Sequence, residues 1–372
     1  PFQALISRMQ LPIWRMALND REFFNSNKHP ARQLINEIAR LGVGWQEGEA
    51  PEQDRLYLAV EDIVHQLHSK ADADATFFNA MLESLSSFAS REEEKAEVVE
   101  KRSSETAAGQ AKTQAARARI QSELYERLKA AELPDPITRF LVHDWQNVLF
   151  ITWLKQGEDS EGWLEALQLV DDLIWSVQYH QDEKSKARRA RLLPTLRERI
   201  KRGLEKTISN EAELDSITQN VDNIHELLLR GRAEELGYQE LQPEHEIALS
   251  QADNTKSWKE MTAVERQQIQ YQRITYDFIR KADSLPVGTW MSFESLRDGK
   301  VTRAKLAAKL ETTDSYVFVN RLGLKVLEKT RKDVAYELQQ SRATIPDSRP
   351  LFDRALGKMA DTLRTMAQPG TS

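Results

Sequence analysis

The chain has no cysteine among its 372 residues. Disulfide bonds, thiolate catalysis and cysteine-ligated zinc or iron–sulfur sites are therefore excluded. A chain without cysteine fits a reducing compartment, and we expect a cytoplasmic protein. The sequence also lacks an apolar run long enough to cross a bilayer and the charged and apolar regions of a signal peptide, so we expect no membrane insertion.

Local signatures of catalysis are missing as well. The fourteen glycines are scattered and form no Gly-x-Ser-x-Gly, Gly-Lys-Ser/Thr or Gly-x-Gly-x-x-Gly motif. We therefore expect no cofactor, assign no catalytic residue and favour a non-enzymatic protein. A hydrolase or transferase whose site is assembled in space within the helical part remains an alternative.

The composition is that of a folded, mainly helical protein. Hydrophobic residues make up 40% of the chain and charged residues 30%, with a net charge of -6, which gives no general case for nucleic-acid binding. Apolar residues recur at three- and four-residue steps, for example at Leu34, Ile35, Ile38 and Leu41, as in a helix with one buried face. The predicted fold is a large helical bundle domain followed by a small C-terminal antiparallel β-barrel with flanking helices.

Changes of pattern along the chain predict its domain organisation. The chain begins at Pro1 inside an amphipathic pattern, so we expect it to be the later part of a longer polypeptide. We predict a helical subdomain (1–89), a polar helix or linker (90–119), a helical bundle (120–230), a linker (231–256), a helix with the small barrel (257–346) and a C-terminal helix and tail (347–372).

The strand pattern is confined to residues 288–330. Four short segments rich in β-branched and aromatic residues are separated by turns at residues 297–300 and 312–314 and at Gly323, which predicts a hairpin meander that closes into a small barrel. Thr330 and Asp333 have capping-box spacing for a following helix. Residues 343–345 could add a fifth strand.

Several stretches distributed over the whole chain resemble a family of uncharacterised proteobacterial cytoplasmic proteins, catalogued as a domain of unknown function. They are His29-Pro-Ala-Arg-Gln-Leu34, Leu173-Ile-Trp-Ser-Val177, Leu192-Leu-Pro194, Val287-Gly-Thr-Trp290, Arg303-Ala-Lys-Leu306, Phe318-Val-Asn-Arg-Leu-Gly323 and Pro350-Leu-Phe-Asp-Arg-Ala-Leu356. The resemblance implies a degenerate PilZ-like barrel at the C-terminus.

PilZ domains bind cyclic di-GMP through an Arg-rich segment before the barrel and an Asp/Asn-x-Ser-x-x-Gly turn within it. This sequence departs from both, because Arg273 and Arg280 stand at another spacing and Asp314-Ser315 lacks the glycine. We therefore expect a protein partner, with a cyclic dinucleotide as the alternative ligand.

The candidate ligand face carries positive charge. Residues 287–342 contain eleven Lys or Arg and seven Asp or Glu, which makes this segment +4 while the rest of the chain is -10. Strand alternation puts Arg303, Lys305 and Lys309 on one face, which we expect to face solvent. We predict a partner or phosphate site at Arg280, Arg303, Lys305, Arg321 and Lys325. The same charges could instead only protect the sheet from aggregation, or bind RNA or DNA, which the acidic composition disfavours.

Histidines offer a further candidate site. His65 and His68 stand three apart near Glu61, a spacing that can place two metal ligands on one helix face, but no third ligand is indicated and we predict no metal site. His29-Pro30 is better interpreted as the entry to a helix.

Overall fold

The computed structural model describes residues 2–20, 22–26, 28–45, 53–70, 74–178, 182–239, 245, 274–295 and 298–346. The chain divides into two units. The first contains Pro1–Ala108 together with Gln267–Ser372, and the second contains Gly109–Arg266. In the described part of the chain, no helix is long and apolar enough to span a membrane.

Short amphipathic helices form the N-terminal part of the first unit. They are α1 (Phe2–Arg8), α2 (Gln10–Asn19), α3 (Glu22–Asn25), α4 (Pro30–Gly42) and α5 (Arg55–Ser69). The periodicity at Leu34 and Ile38 correctly predicts α4, since both side chains are fully buried. His29 begins α4 as predicted, because its Nδ1 accepts a hydrogen bond from the backbone N–H of Ala31 and Pro30 occupies the first turn.

The next helix, α6 (Ala75–Leu128), is 54 residues long. The sequence leaves residues 90–119 open between a solvated helix and a partly disordered segment, because they have almost no apolar stripe. In the structure these residues are helical without interruption. The helix contributes residues up to Ala108 to the first unit and the remainder to the second.

The second unit is built from helices around one apolar core. Its elements are β1 (Leu133–Pro134), α7 (Asp135–Arg139), a π-helical segment (Phe140–Trp145), α8 (Gln146–Gln156), α9 (Glu161–Val177), α10 (Glu183–Leu204), α11 (Glu211–Leu229), a 3-10 turn (Ala233–Leu236) and β2 (Tyr238–Gln239). Trp145 and Trp163 are buried in the core, whereas Trp153 and Trp175 are only partly buried. The Trp145 indole donates a hydrogen bond to the carbonyl oxygen of Ala166, which satisfies its polar atom inside the core.

An antiparallel sheet forms the C-terminal part of the first unit. Its elements are α12 (Tyr276–Asp283), β3 (Trp290–Glu294), β4 (Val301–Leu310), β5 (Ser315–Val319), β6 (Lys325–Thr330), α13 (Arg331–Gln339) and β7 (Ala343–Thr344). The meander and the fifth strand are confirmed, in the order β6-β5-β4-β3-β7. The capping box at Thr330 and Asp333 is also confirmed.

The predicted closure into a barrel is wrong. In the described residues, β6 and β7 form the two edges of an open five-stranded sheet and do not pair with each other. The edge strand β7 is only two residues long, and a very short edge strand limits the pairing that an open edge invites. The predicted C-terminal helix and tail (347–372) lies outside the described residues.

Two glycines test the packing of helices in the second unit and the helical state of α6. A Cβ on Gly203 would overlap the ring of Trp145, whereas a Cβ on Gly109 would have no atom within 4 Å. We expect Gly203→Ala to lower the free energy of unfolding by about 1–3 kcal/mol through overpacking. Gly109→Ala should raise it by about 0.5–1 kcal/mol, because alanine loses less entropy in a helix. Urea unfolding followed by tryptophan fluorescence measures both, and equal effects of the two substitutions would contradict this assignment.

Candidate functional site

The two faces of the five-stranded sheet have different neighbours. Ala304 and Leu306 of β4 point to one face, where they join a core shared with residues of α12 and α13. Because strand side chains alternate, Arg303 and Lys305 point to the other face. That face packs against the N-terminal helices of the same unit.

Helix α6 neutralises the centre of this basic face. Lys305 Nζ lies 2.5 Å from Glu100 Oε2, and Arg303 Nη1 donates a hydrogen bond of 3.3 Å to the backbone carbonyl of Trp45. The expectation that this face is turned to solvent is therefore wrong for both residues. The sequence could not reveal this, because their partners stand some two hundred residues earlier in the chain.

Arg321 makes the most buried ion pair of the site. Its guanidinium contacts the carboxylate of Asp54, whose side chain is 3% exposed. The other oxygen of Asp54 caps α5 by accepting hydrogen bonds from the backbone N–H groups of Leu56 and Tyr57, at 2.8 and 3.0 Å. One carboxylate thus starts a helix and holds the turn that follows β5, and breaking such a buried pair leaves an uncompensated charge.

The turn between β5 and β6 docks directly on α6. Asn320 Oδ1 accepts hydrogen bonds from the backbone N–H groups of Leu322 and Leu324, which fixes the turn. Gly323 has φ +80°, and its carbonyl accepts a 2.8 Å hydrogen bond from Ser103 Oγ. A Cβ on Gly323 would overlap the backbone carbonyl oxygen of Ala96, so only glycine allows this approach.

A second glycine contact closes the other end of the same interface. A Cβ on Gly44, just after α4, would lie 2.5 Å from Cη2 of Trp290 on β3. Trp290 therefore packs its ring edge on the backbone of the helical part.

Between these contacts lies a cleft of about 940 Å³. Its apolar surface includes Leu41, Phe88, Trp290 and Leu322, and its charged residues include the Arg321–Asp54 and Lys305–Glu100 pairs. Other charged side chains stand on the exposed part of α6, namely Glu97, Lys101 and Glu105. Six Asp or Glu and five Lys or Arg line the cleft in total, so it has one carboxylate in excess. A mixed apolar and charged cleft of this size suits a ligand with both kinds of group.

The structure brings together three of the five predicted residues. Arg303, Lys305 and Arg321 all contact the N-terminal helical part. Lys325 instead forms a local ion pair with Glu328 on β6. Arg280 is exposed on α12, which covers the opposite face of the sheet.

Sequence patterns did not reveal the residues that the N-terminal helical part contributes to the site. Asp54 carries a local signal, because an aspartate directly before an apolar helix is a typical N-cap. Gly44, Glu100 and Ser103 carry none, because their roles come from contacts with residues more than 200 positions later in the chain.

The histidines do not form a metal centre with neighbouring acids in the described part of the chain, where no group of three potential ligands is found. His68 Nδ1 lies 2.9 Å from the carbonyl oxygen of Val64 on its own helix. Its ring is thus placed by local helix geometry rather than by a ligand set.

One buried pair in the second unit has the composition of a catalytic dyad. Ser176 Oγ lies 2.9 Å from His225 Nε2, but the hydroxyl also donates a 2.7 Å hydrogen bond to the carbonyl of Leu173. The hydroxyl is therefore shared between the imidazole and a backbone carbonyl, and Ser176 has no exposed surface. A nucleophilic serine must instead give its proton to histidine and reach its substrate. The pair serves to join α9 to α11.

His225 gives the stability of this unit a pH dependence. Burial, reinforced by the positive charge of Arg189, lowers the pKa of His225 to about 4. The unfolded chain binds the proton near pH 6.5, so the free energy of unfolding should be highest above that pH and fall by about 3 kcal/mol as the pH drops to 4. Denaturant titrations between pH 7 and 4 measure this loss. The control is His225→Gln, which keeps a donor but cannot titrate, and an unchanged loss in that variant would contradict the role of His225.

The docking of the turn can be tested with two glycines that share a positive φ. Gly299 has φ +66° and open space where a Cβ would stand, whereas a Cβ on Gly323 would meet the α6 backbone. We expect Gly299→Ala to cost about 1 kcal/mol from backbone strain, and Gly323→Ala to cost about 1–3 kcal/mol more from overpacking. Hydrogen–deuterium exchange should increase in residues 96–103 only for Gly323→Ala. Equal effects of the two substitutions would show that the turn does not dock on the helix.

Three family models match the chain. Residues 1–74 match the second domain of a protein of unknown function, DUF1631, residues 106–222 match its third domain, and residues 277–346 match its C-terminal tudor domain. No curated protein and no solved structure matches the chain. The PilZ likeness and the proteobacterial origin stay predictions. Since the matched segments cover most of its length, the chain belongs to the DUF1631 family.

Proposed function

We propose that this chain is a non-enzymatic scaffold or regulatory protein of the cytoplasm that receives a segment of a protein partner in the cleft between its C-terminal sheet and its N-terminal helices. The observation that carries the proposal is the cleft itself, about 940 Å³ in volume and lined by both apolar and charged side chains. The match of residues 277–346 to a tudor domain supports a role in interaction.

The side chains that line the cleft indicate which kind of peptide segment fits it. Leu41, Phe88 and Trp290 offer apolar contact area, which suits an aliphatic or aromatic side chain as an anchor. Glu97 and Glu105 stand exposed on α6 and form no ion pair with another described residue. They lie about 12 Å apart along the helix. We therefore propose a segment that carries basic residues beside an apolar one.

The other ligands considered for the sheet have less support. Arg303, Lys305 and Arg321 are the groups that would clamp a cyclic dinucleotide or a nucleic acid, and they already contact Trp45, Glu100 and Asp54. A phosphate ligand would have to replace these contacts, with the cost of leaving Asp54 buried without its partner. A protein segment that binds in the cleft does not need to displace these contacts.

Binding of a fluorescein-labelled octapeptide pool with one fixed lysine and one fixed leucine tests the proposal. Selected peptides should lose at least tenfold in affinity for Glu97→Lys/Glu105→Lys, because like charges at a binding surface repel. The matched control is Glu83→Lys/Glu94→Lys, which makes the same charge change at exposed positions of α6 outside the cleft and should bind normally.

Two results would contradict the proposal. One is equal peptide affinity for the cleft variant and its control. The other is calorimetric binding of cyclic di-GMP that Arg303→Ala or Arg321→Ala abolishes, which would replace the protein segment by a dinucleotide.

A further inference from the structure

We infer that the outer face of α10 in the second unit is a binding surface for single-stranded nucleic acid. This inference concerns a different unit from the cleft and does not depend on it. Helix α10 contains nine Lys or Arg and two Glu in 22 residues, a net charge of +7, although the whole chain carries -6. A helix of this kind is the electrostatic footprint expected of a polyanion site.

Four exposed cations of α10 lie along one line. Because each residue of a helix advances by about 100°, Lys184, Arg188, Arg191 and Arg202 fall within roughly 60° of one another, over about 27 Å of the helix. All four are exposed. In the described part of the chain they form no ion pair, whereas Arg197 is paired with Asp222 of α11. We call these four residues the basic stripe.

Local electrostatics disfavour the N-terminal part of the basic stripe. Lys184 lies in the first turn of α10, where the helix dipole is positive and disfavours cations. Lys184 and Arg188 are four residues apart and Arg188 and Arg191 three, which are spacings at which like charges repel across a helix surface. A bound anion would relieve both effects.

The surroundings of the stripe distinguish nucleic acid from a membrane. The apolar face of α10 is occupied, since Leu196, Ile200 and Leu204 are at most 1% exposed in the core. A helix that binds a bilayer surface needs its apolar face free to enter the lipid. The stripe therefore offers charge without apolar surface, as required by a phosphodiester backbone.

Arg188 adds a feature specific to unpaired bases. Its guanidinium carbon lies 4.2 Å from the ring centroid of Trp175, which holds the planar guanidinium over the indole face. The outer side of such a plane is a surface on which an unstacked base can lie. A duplex, whose bases are stacked internally, cannot use it.

Fluorescence anisotropy with a labelled 20-nucleotide oligouridylate, measured on the full chain between 50 and 300 mM NaCl, tests the inference. Four engaged residues predict a slope of log K against log salt of about -3, since each neutralised phosphate of a single strand contributes about -0.7. Arg188→Gln/Arg191→Gln/Arg202→Gln should lose more than tenfold in affinity at 100 mM NaCl, and its slope should be smaller by about 2. The matched control is Lys129→Gln/Lys155→Gln/Arg230→Gln, which removes three exposed charges of the same unit outside α10 and should change affinity less than twofold.

A conservative variant separates stacking from charge and does not depend on the triple variant. Arg188→Lys keeps the positive charge but removes the planar guanidinium on which a base would stack. The affinity for oligouridylate should therefore fall severalfold, while the slope of log K against log salt stays unchanged. Equal affinities of the triple variant and its control would overturn the inference. Binding of phosphatidylserine vesicles or of an acidic polyglutamate peptide in preference to the oligonucleotide would also overturn it, as would equal affinity for a duplex of the same length.

Discussion

The contact of the C-terminal sheet with the long helix α6 holds the candidate site together. Gly323 lets the turn after β5 approach the helix backbone, and Ser103 binds its carbonyl. Next to this contact, Arg321 reaches Asp54, a residue that also begins α5. Residues from both ends of the chain thereby line one cleft. Because the ion pair is largely buried and the glycine approach leaves no room for a side chain, neither contact can be made by a loosely attached sheet.

This docking also explains why the sheet does not need to close. A small antiparallel sheet usually has one face on a core and the other in water. Here α12 and α13 cover one face, and the N-terminal helices contact the other through Lys305 and Trp290. Positive charge on the second face then serves to match Glu100, and the cleft lies beside this ion pair.

The two proposed surfaces use charge in opposite ways. In the first unit, basic and acidic side chains neutralise one another and leave a mixed cleft suited to a peptide. In the second unit, α11 and α9 neutralise the flanks of α10 at Arg197 and Arg199 but not its outer stripe. The net charge of the chain conceals this contrast, because the strongly basic helix is averaged with its acidic neighbours. The nine basic residues within the 22 residues of α10 were the sequence signal that could have revealed the stripe.

Local structure in this chain follows from residues that are neighbours in the sequence. Apolar periodicity predicts α4, turn residues predict the meander, and the pair Thr330 and Asp333 predicts the cap of α13. The open sheet and the meeting of its basic face at Lys305 with Glu100 became visible only in the folded chain. Such contacts join residues about two hundred positions apart, and their geometry depends on how whole elements pack, which no local pattern encodes.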